Sequence, residues 1–296
     1  MTTETETELL AGHVRPQRRI ATHIGAECSE VGQCPTQVST WLGAGTTTLG
    51  PLEANKQFYS NGQRMTTWSA GHRPTDQEAR LPTSCLPLIC FDTDHSADLV
   101  PYCRSIPPGK RVVLIPCQEA EGAGKWPNGV AFTDWFKQQS DAIRSVNNPY
   151  LLVAHDAASS AYNPGARAAN GSYVPPDDFV DLRLVDVYQN MGNWPKLGLA
   201  DYPRFQQWLH CVGTTKPIGI AEYGIDGSKG DPARNDRLIA DAHFLLSGVI
   251  PHLFCFLYWW SDCTAAVFQT SQLRKHQFTD GPTISTFKSL IAGTFH

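Results

Sequence analysis

"KPIGIAEYG", residues 216–224, reads as an apolar core strand that ends on a carboxylate. Pro217, Ile218, Ile220 and Ala221 suit a strand buried on both faces, the pattern of a parallel sheet covered by helices. Glu222 follows at once, then Tyr223 and Gly224. A carboxylate carried to such a position costs free energy unless it is paired or takes up a proton. The remainder of the sequence must therefore supply a partner for Glu222.

Similar runs recur on both sides of it. Upstream lie "RRIATHIGAE" (18–27), "ANKQFYS" (54–60), "CLPLICFDT" (85–93), "KRVVLIPCQE" (110–119), "PYLLVAHDA" (149–157) and "DLRLVDVYQ" (181–189); downstream lies "HLFCFLYWWSD" (252–262). Helical segments separate them: "PTQVSTWLGA" (35–44), "TDWFKQQSDAIRSV" (133–146, with Thr133 or Asp134 as the expected N-cap), "YPRFQQWLHCV" (202–212) and "DPARNDRLIADAHFLLSG" (231–248). About eight strands alternating with helices predict an α/β chain closed as a single (β/α)8 TIM barrel. That barrel is expected over residues 18–296, behind a polar extension at 1–17. "GAGTTTLG" (43–50) lacks the spacing of a dinucleotide-binding turn, and "GAGKW" (122–126) that of a phosphate-binding loop.

Composition narrows the function. Charged residues make up 18% of the 296 and aromatics 10%, with eight Trp, which suits an aromatic-lined cleft better than a disordered chain. A net charge of −4 without a basic stripe gives no support to nucleic-acid binding. The nine cysteines form no C-x-x-C motif, so free thiols are expected, with Cys28–Cys34 the one candidate local bridge. "VIPHLFCFLYWW" (249–260) is too short to span a membrane. "MTTETETELLAGH" has neither the basic nor the apolar region of a secretory signal. No cofactor or metal is expected: no H-E-x-x-H occurs, and Asp92 and Asp94 are a weak D-x-D. Ser159 and Ser160 beside His155 and Asp156 lack a G-x-S-x-G elbow, so hydrogen bonding within the fold is the expected role there.

Catalytic groups of such barrels sit at the C-terminal ends of strands. The candidates there are Gln118, Glu119 and Glu121, then Asp186 and Tyr188, then Glu222, then Trp259 and Trp260. Two glutamates facing one another across a barrel mouth can share one proton at neutral pH, leaving one acid and one nucleophile or base. Glycoside hydrolysis has that requirement. Glu222 thus points to Glu119 as its partner.

These stretches resemble clan A glycoside hydrolases, closest to the family 26-like, mannanase-like group. "KPIGIAEYG" is similar to their nucleophile strand, "VVLIPCQEAEG" (112–122) to their acid/base strand, and "VDLRLVDVYQ" (180–189) to the strand beside the nucleophile. The resemblance implies Glu222 as nucleophile and Glu119 as general acid/base. Tyr188 would bond the nucleophile, and Trp259 or Trp260 would form a sugar-stacking floor. Gln118, Glu121 and Asp186 complete the expected substrate-binding set. Gln118 departs from the usual His of the family and cannot carry charge. The expected function is a retaining endo-glycosidase acting on a β-linked polysaccharide or cell-envelope glycan. The alternative is a decayed glycosidase barrel serving as a carbohydrate-binding or structural protein, for example in a phage tail. A missing signal combined with an extracellular polymer favours delivery within a larger particle.

Overall fold

The computed structural model describes residues 23–28, 88–90, 96–109, 111–122, 125–189, 198–213, 215–225, 233–250, 252–260 and 281–291. In chain order these form β1 (His23–Cys28), β2 (Leu88–Cys90), α1 (Ser96–Ser105), β3 (Val112–Ile115), α2 (Gly129–Arg144), β4 (Leu151–Ala158), β5 (Leu182–Gln189), α3 (Pro203–Val212), β6 (Ile218–Ile225), α4 (Arg234–Leu246), β7 (Leu253–Trp260) and α5 (Gly281–Ile291). The strands make one seven-stranded sheet in the order β1-β7-β6-β5-β4-β3-β2. Every pairing is parallel.

The chain is therefore an α/β protein built on a parallel sheet, as the alternation of apolar runs and helices predicts. Seven of the expected strands are present; among the described residues no hydrogen-bonded pair joins β1 to β2 and so closes the ladder. The candidate strand 54–60, the candidate helix 35–44 and the extension 1–17 lie outside the described residues, as do Cys34, Asp92, Asp94 and Asp262. Cys103, Cys117, Cys211 and Cys255 are free thiols.

Two helices were not anticipated: α1, which carries Pro101, and α5. The start of α2 also differs from expectation. Its N-cap is Asn128, whose Oδ1 accepts the Ala131 N–H at 2.8 Å, so Thr133 and Asp134 lie inside the helix. Gly129, Phe132, Phe136, Ser140 and Ile143 then recur at three- and four-residue intervals and form the buried stripe. Gly129 is required because a Cβ would stand 2.2 Å from the Ser172 carbonyl oxygen.

Among the described residues both faces of the sheet bury apolar side chains. The outer face packs on the helices through residues such as Val112, Leu114, Val153, Val185, Val187, Ile218 and Ile220. The inner face forms its own cluster of Val113, Ile115, Ala154, Leu182, Leu184, Ala221, Phe254 and Cys255. Successive side chains on a strand alternate between these layers.

In β6 the alternation slips. Ile218 and Ile220 belong to the outer layer, but so do Tyr223 and Ile225, three and five residues beyond Ile220. The register shows why: Val185 pairs with Ile220, and the next residue, Asp186, pairs with Glu222, which leaves Ala221 as an extra residue on β6. This is a β-bulge. An unbroken strand would send Glu222 outward with Ile220. The bulge turns Glu222 onto the inner side, where Asp186 and Tyr188 follow Leu182 and Leu184 at intervals of two along β5.

Candidate active site

Three strand ends converge on Glu222, which is only 2% exposed. Tyr188 of β5 donates its hydroxyl to Glu222 Oε2. Gln118, just beyond β3, gives its one amide nitrogen to two carboxylates: Nε2 lies 2.8 Å from Glu222 Oε1 and 3.0 Å from Asp186 Oδ2. An amide nitrogen carries two protons, so both bonds form together. Asp186 is likewise 2% exposed and is the register partner of Glu222. Gln118, Asp186, Tyr188 and Glu222 are thus brought into one hydrogen-bonded cluster.

The other side of β6 holds that strand in place. Tyr223 points outward and donates to Asp241 Oδ2 of α4. Asp241 Oδ1 accepts the Leu199 N–H at 2.6 Å. Glu222 and Tyr223 are neighbours in sequence, but one faces the site and the other is bolted to the helix layer.

Beyond β3 the backbone leaves the sheet, and Glu119 lies there, half-buried, with φ +44°. Left-handed backbone is uncommon for a residue bearing a Cβ. A turn bond from the Gly122 N–H to the Glu119 carbonyl at 3.0 Å follows it, and Lys125 Nζ donates to the Gln118 carbonyl at 2.8 Å. Lys125 was not anticipated from the sequence; an exposed lysine after a loop carries no signal.

Glu121 is placed differently from expectation. It is 4% exposed and accepts from the Tyr162 hydroxyl at 3.1 Å and from the Ala158 N–H at 3.4 Å. Burial pushes its carboxyl up to about 7, against those hydrogen bonds, which favour the charged form. His155 Nε2 stands 3.9 Å away. Burial, and then the Arg183 guanidinium, hold that imidazole well below its usual range, so it is neutral and the contact is not an ion pair. His155 lies on the outer face, against the rings of Phe132 and Phe136 at 6.0 and 6.2 Å.

Trp259 and Trp260 end β7, where they are the register partners of Glu27 and Cys28; their side chains lie outside the described residues. No group of three His, Cys, Asp or Glu among the described residues could hold a metal ion, and no described helix is long and apolar enough to cross a membrane. A cavity of about 520 Å³ lies elsewhere, between the loop after β4 and α3, lined in part by Asp177, Arg183, Gln207 and His210. Arg183 is the second residue of β5, and Tyr188 stands at the strand's other end, so this cavity is remote from Glu222.

No family model matches the chain, and no curated protein matches it in sequence. Solved structures share its fold. The catalytic domain of the Bacillus sp. JAMB-750 GH26 endo-beta-1,4-mannanase matches with a TM-score of 0.57 at 12% identity, covering 94% of this chain and 87% of that one. GH26C from Muricauda sp. matches with a TM-score of 0.56 at 12% identity, covering 97% and 87%. A Cellulomonas fimi endo-beta-1,4-mannanase double mutant matches at 14% identity and a TM-score of 0.49; 72% of this chain spans 55% of that one. At such identities the likeness concerns the fold. The first two matches join this parallel α/β sheet to the architecture of those GH26 structures.

Proposed function

We propose that the protein is a retaining, endo-acting glycoside hydrolase of a β-linked polysaccharide, working from a closed eight-stranded barrel. The observation that carries this reading is the convergence of Gln118 and Tyr188 on a buried Glu222. Two hydrogen bonds, one to each oxygen of the carboxylate, fix its orientation, which a nucleophile requires. Glu222 would attack the anomeric carbon while Glu119 gives its proton to the departing glycosidic oxygen. Glu119, then a carboxylate, would take a proton from the water that hydrolyses the glycosyl-enzyme ester. Asp186 would share the Gln118 amide, and Trp259 or Trp260 would offer an apolar face to a sugar ring.

The two most similar folds compared above belong to GH26 proteins, one of them named an endo-beta-1,4-mannanase. β-1,4-Mannan is therefore the first substrate to try, followed by other β-linked glycans. The test combines turnover, binding and the anomer of fresh product. Wild type should release product of retained configuration. Glu222→Gln should lose turnover by on the order of 10⁴-fold and still bind the glycan. Inverted product would make Glu222 a base acting on water. Glycan binding without wild-type turnover would establish the carbohydrate-binding barrel instead.

A further inference from the structure

The segment after β3 faces two ways. Gln118 and Glu119 are half-buried, whereas Cys117, Ala120 and Glu121 are buried. Upstream it is fixed by the β3 ladder and by the bonds of Gln118 to Asp186 and Glu222. Between those fixtures and Glu121 sits Glu119 with its left-handed backbone. That conformation costs a residue with a Cβ about 1 kcal/mol or more, and persists only where its surroundings hold it. Cutting the downstream fixture would let the segment relax.

We propose that Glu121 is a positioning residue: its buried carboxyl fastens the segment 116–122 to the end of β4 and so sets where Gln118 and Glu119 meet the substrate. The contacts span the junction. Ala158 is the last residue of β4, and Tyr162 closes the short 3-10 turn Ser159–Tyr162 that follows it. The Glu121 side chain has no exposed surface, so it offers nothing to a sugar. The titratable and charged groups around it are Glu119 on its own segment, His155 on β4, Tyr162 after β4, Tyr173 beyond, and Arg183 on β5, which acts on His155 and Tyr162. With His155 neutral, the donors around the carboxyl are Glu121's own N–H, the Tyr162 hydroxyl and the Ala158 N–H, and the last two belong to the end of β4 and the turn after it.

The effect on turnover rests on the proposed hydrolase reading; the tether itself does not, and the experiment separates the two. Amide hydrogen exchange over 116–122 and hydrolysis of β-1,4-mannan are measured for wild type, Glu121→Ala, Glu121→Gln and Tyr162→Phe. In Glu121→Ala, exchange over 116–122 should rise at least about tenfold while β6 is unchanged. The kcat should fall about 100-fold, as expected for a displaced catalytic group, with KM within about threefold. Glu121→Gln should restore both readouts, and Tyr162→Phe should fall between. Unchanged exchange in Glu121→Ala overturns the tether. A raised KM at constant kcat overturns it also, because Glu121 would then contact substrate. If Glu121→Ala does not fold, Tyr162→Phe decides by the same readouts. If wild type hydrolyses no glycan, the hydrolase reading fails and exchange still decides the tether.

Discussion

The ends of β6 and β3 deliver their acidic residues by different means. β6 stays in the ladder, and one extra residue, Ala221, turns Glu222 inward while Tyr223 stays fixed to Asp241 behind the sheet. β3 stops at Ile115, and an irregular segment carries Gln118, Glu119 and Glu121 onward. The first arrangement borrows its rigidity from neighbouring strands. The second has to supply its own, through the Gln118 amide on one side and the Glu121 carboxyl on the other. A group held by a ladder fails only when the strand is re-phased, whereas a group held by a tether fails when one bond is cut.

The strongest way to break this comparison is to exchange Glu222 and Tyr223. The exchange puts a carboxylate in the helix layer beside Asp241 and a tyrosine on the inner side. An unpaired buried carboxylate costs about 3–5 kcal/mol. Urea unfolding should show a loss of that order, with no turnover in any folded fraction; a stable, active exchanged variant would refute the facing that the bulge gives these two residues.

The next test replaces the neutral bridge by a charge. Gln118→Glu puts a third carboxylate beside Asp186 and Glu222 and removes the amide that donates to both; like charges so close resist ionising together. Turnover should fall by about 100-fold at neutral pH, and the acid limb of the rate profile should move to higher pH, by measurement of kcat/KM against pH.

A third test reads Glu121 through stability. In the fold its carboxyl sits at about 7, against an ordinary value of 4.5. Its raised position means the charged form is disfavoured in the folded protein. Below the ordinary value both states are protonated and there is no penalty. As pH rises from 4.5 to about 7 the unfolded chain ionises first, and the fold loses stability of order 3 kcal/mol before levelling off. Glu121→Gln should remove that slope, so its advantage over wild type grows toward pH 8 in denaturant titrations. An identical slope in the two proteins would place the titration elsewhere.

Smaller effects sharpen the picture. Tyr223→Phe removes one donor to Asp241, which keeps the Leu199 N–H, and should cost about 1–2 kcal/mol in thermal unfolding. Lys125→Ala removes an exposed bond to the Gln118 carbonyl and should change stability by less than about 1 kcal/mol. A larger drop in kcat than in stability would show that Lys125 also orients Gln118.

Most of the sheet was legible because its strands are short apolar runs bounded by Gly, Pro or polar residues, and parallel strands need no finer signal. The helix starts were less so: Asn128 caps α2 from a loop, while Thr133 and Asp134, equally good caps by type, sit one turn inside. α1 was hidden by Pro101 and a weakly apolar stripe. The strand-end groups Gln118, Asp186, Tyr188 and Glu222 were readable because each closes an apolar run. The phase slip at Ala221 was not, since a two-residue period run through "IGIAEYG" sets Glu222 with Ile220 and no residue type marks the extra member. Nor was the burial of Glu121, whose partner Tyr162 is remote in sequence and becomes a neighbour only after β3 and β4 pair.

The strand order has a consequence during synthesis. Among the described residues β1 pairs only with β7, whereas each of the other strands finds a partner next to it in chain order. On the ribosome β1 emerges before the other strands of this sheet yet cannot join the ladder until β7, the last of them, has been made. Its unpaired edge and that of β7 are then available to other chains. Joining two strands so distant in sequence is entropically slow. Docking of β1 is therefore the step at which a nascent chain would benefit most from a chaperone, and the seam at which a cut chain could be reassembled from two pieces.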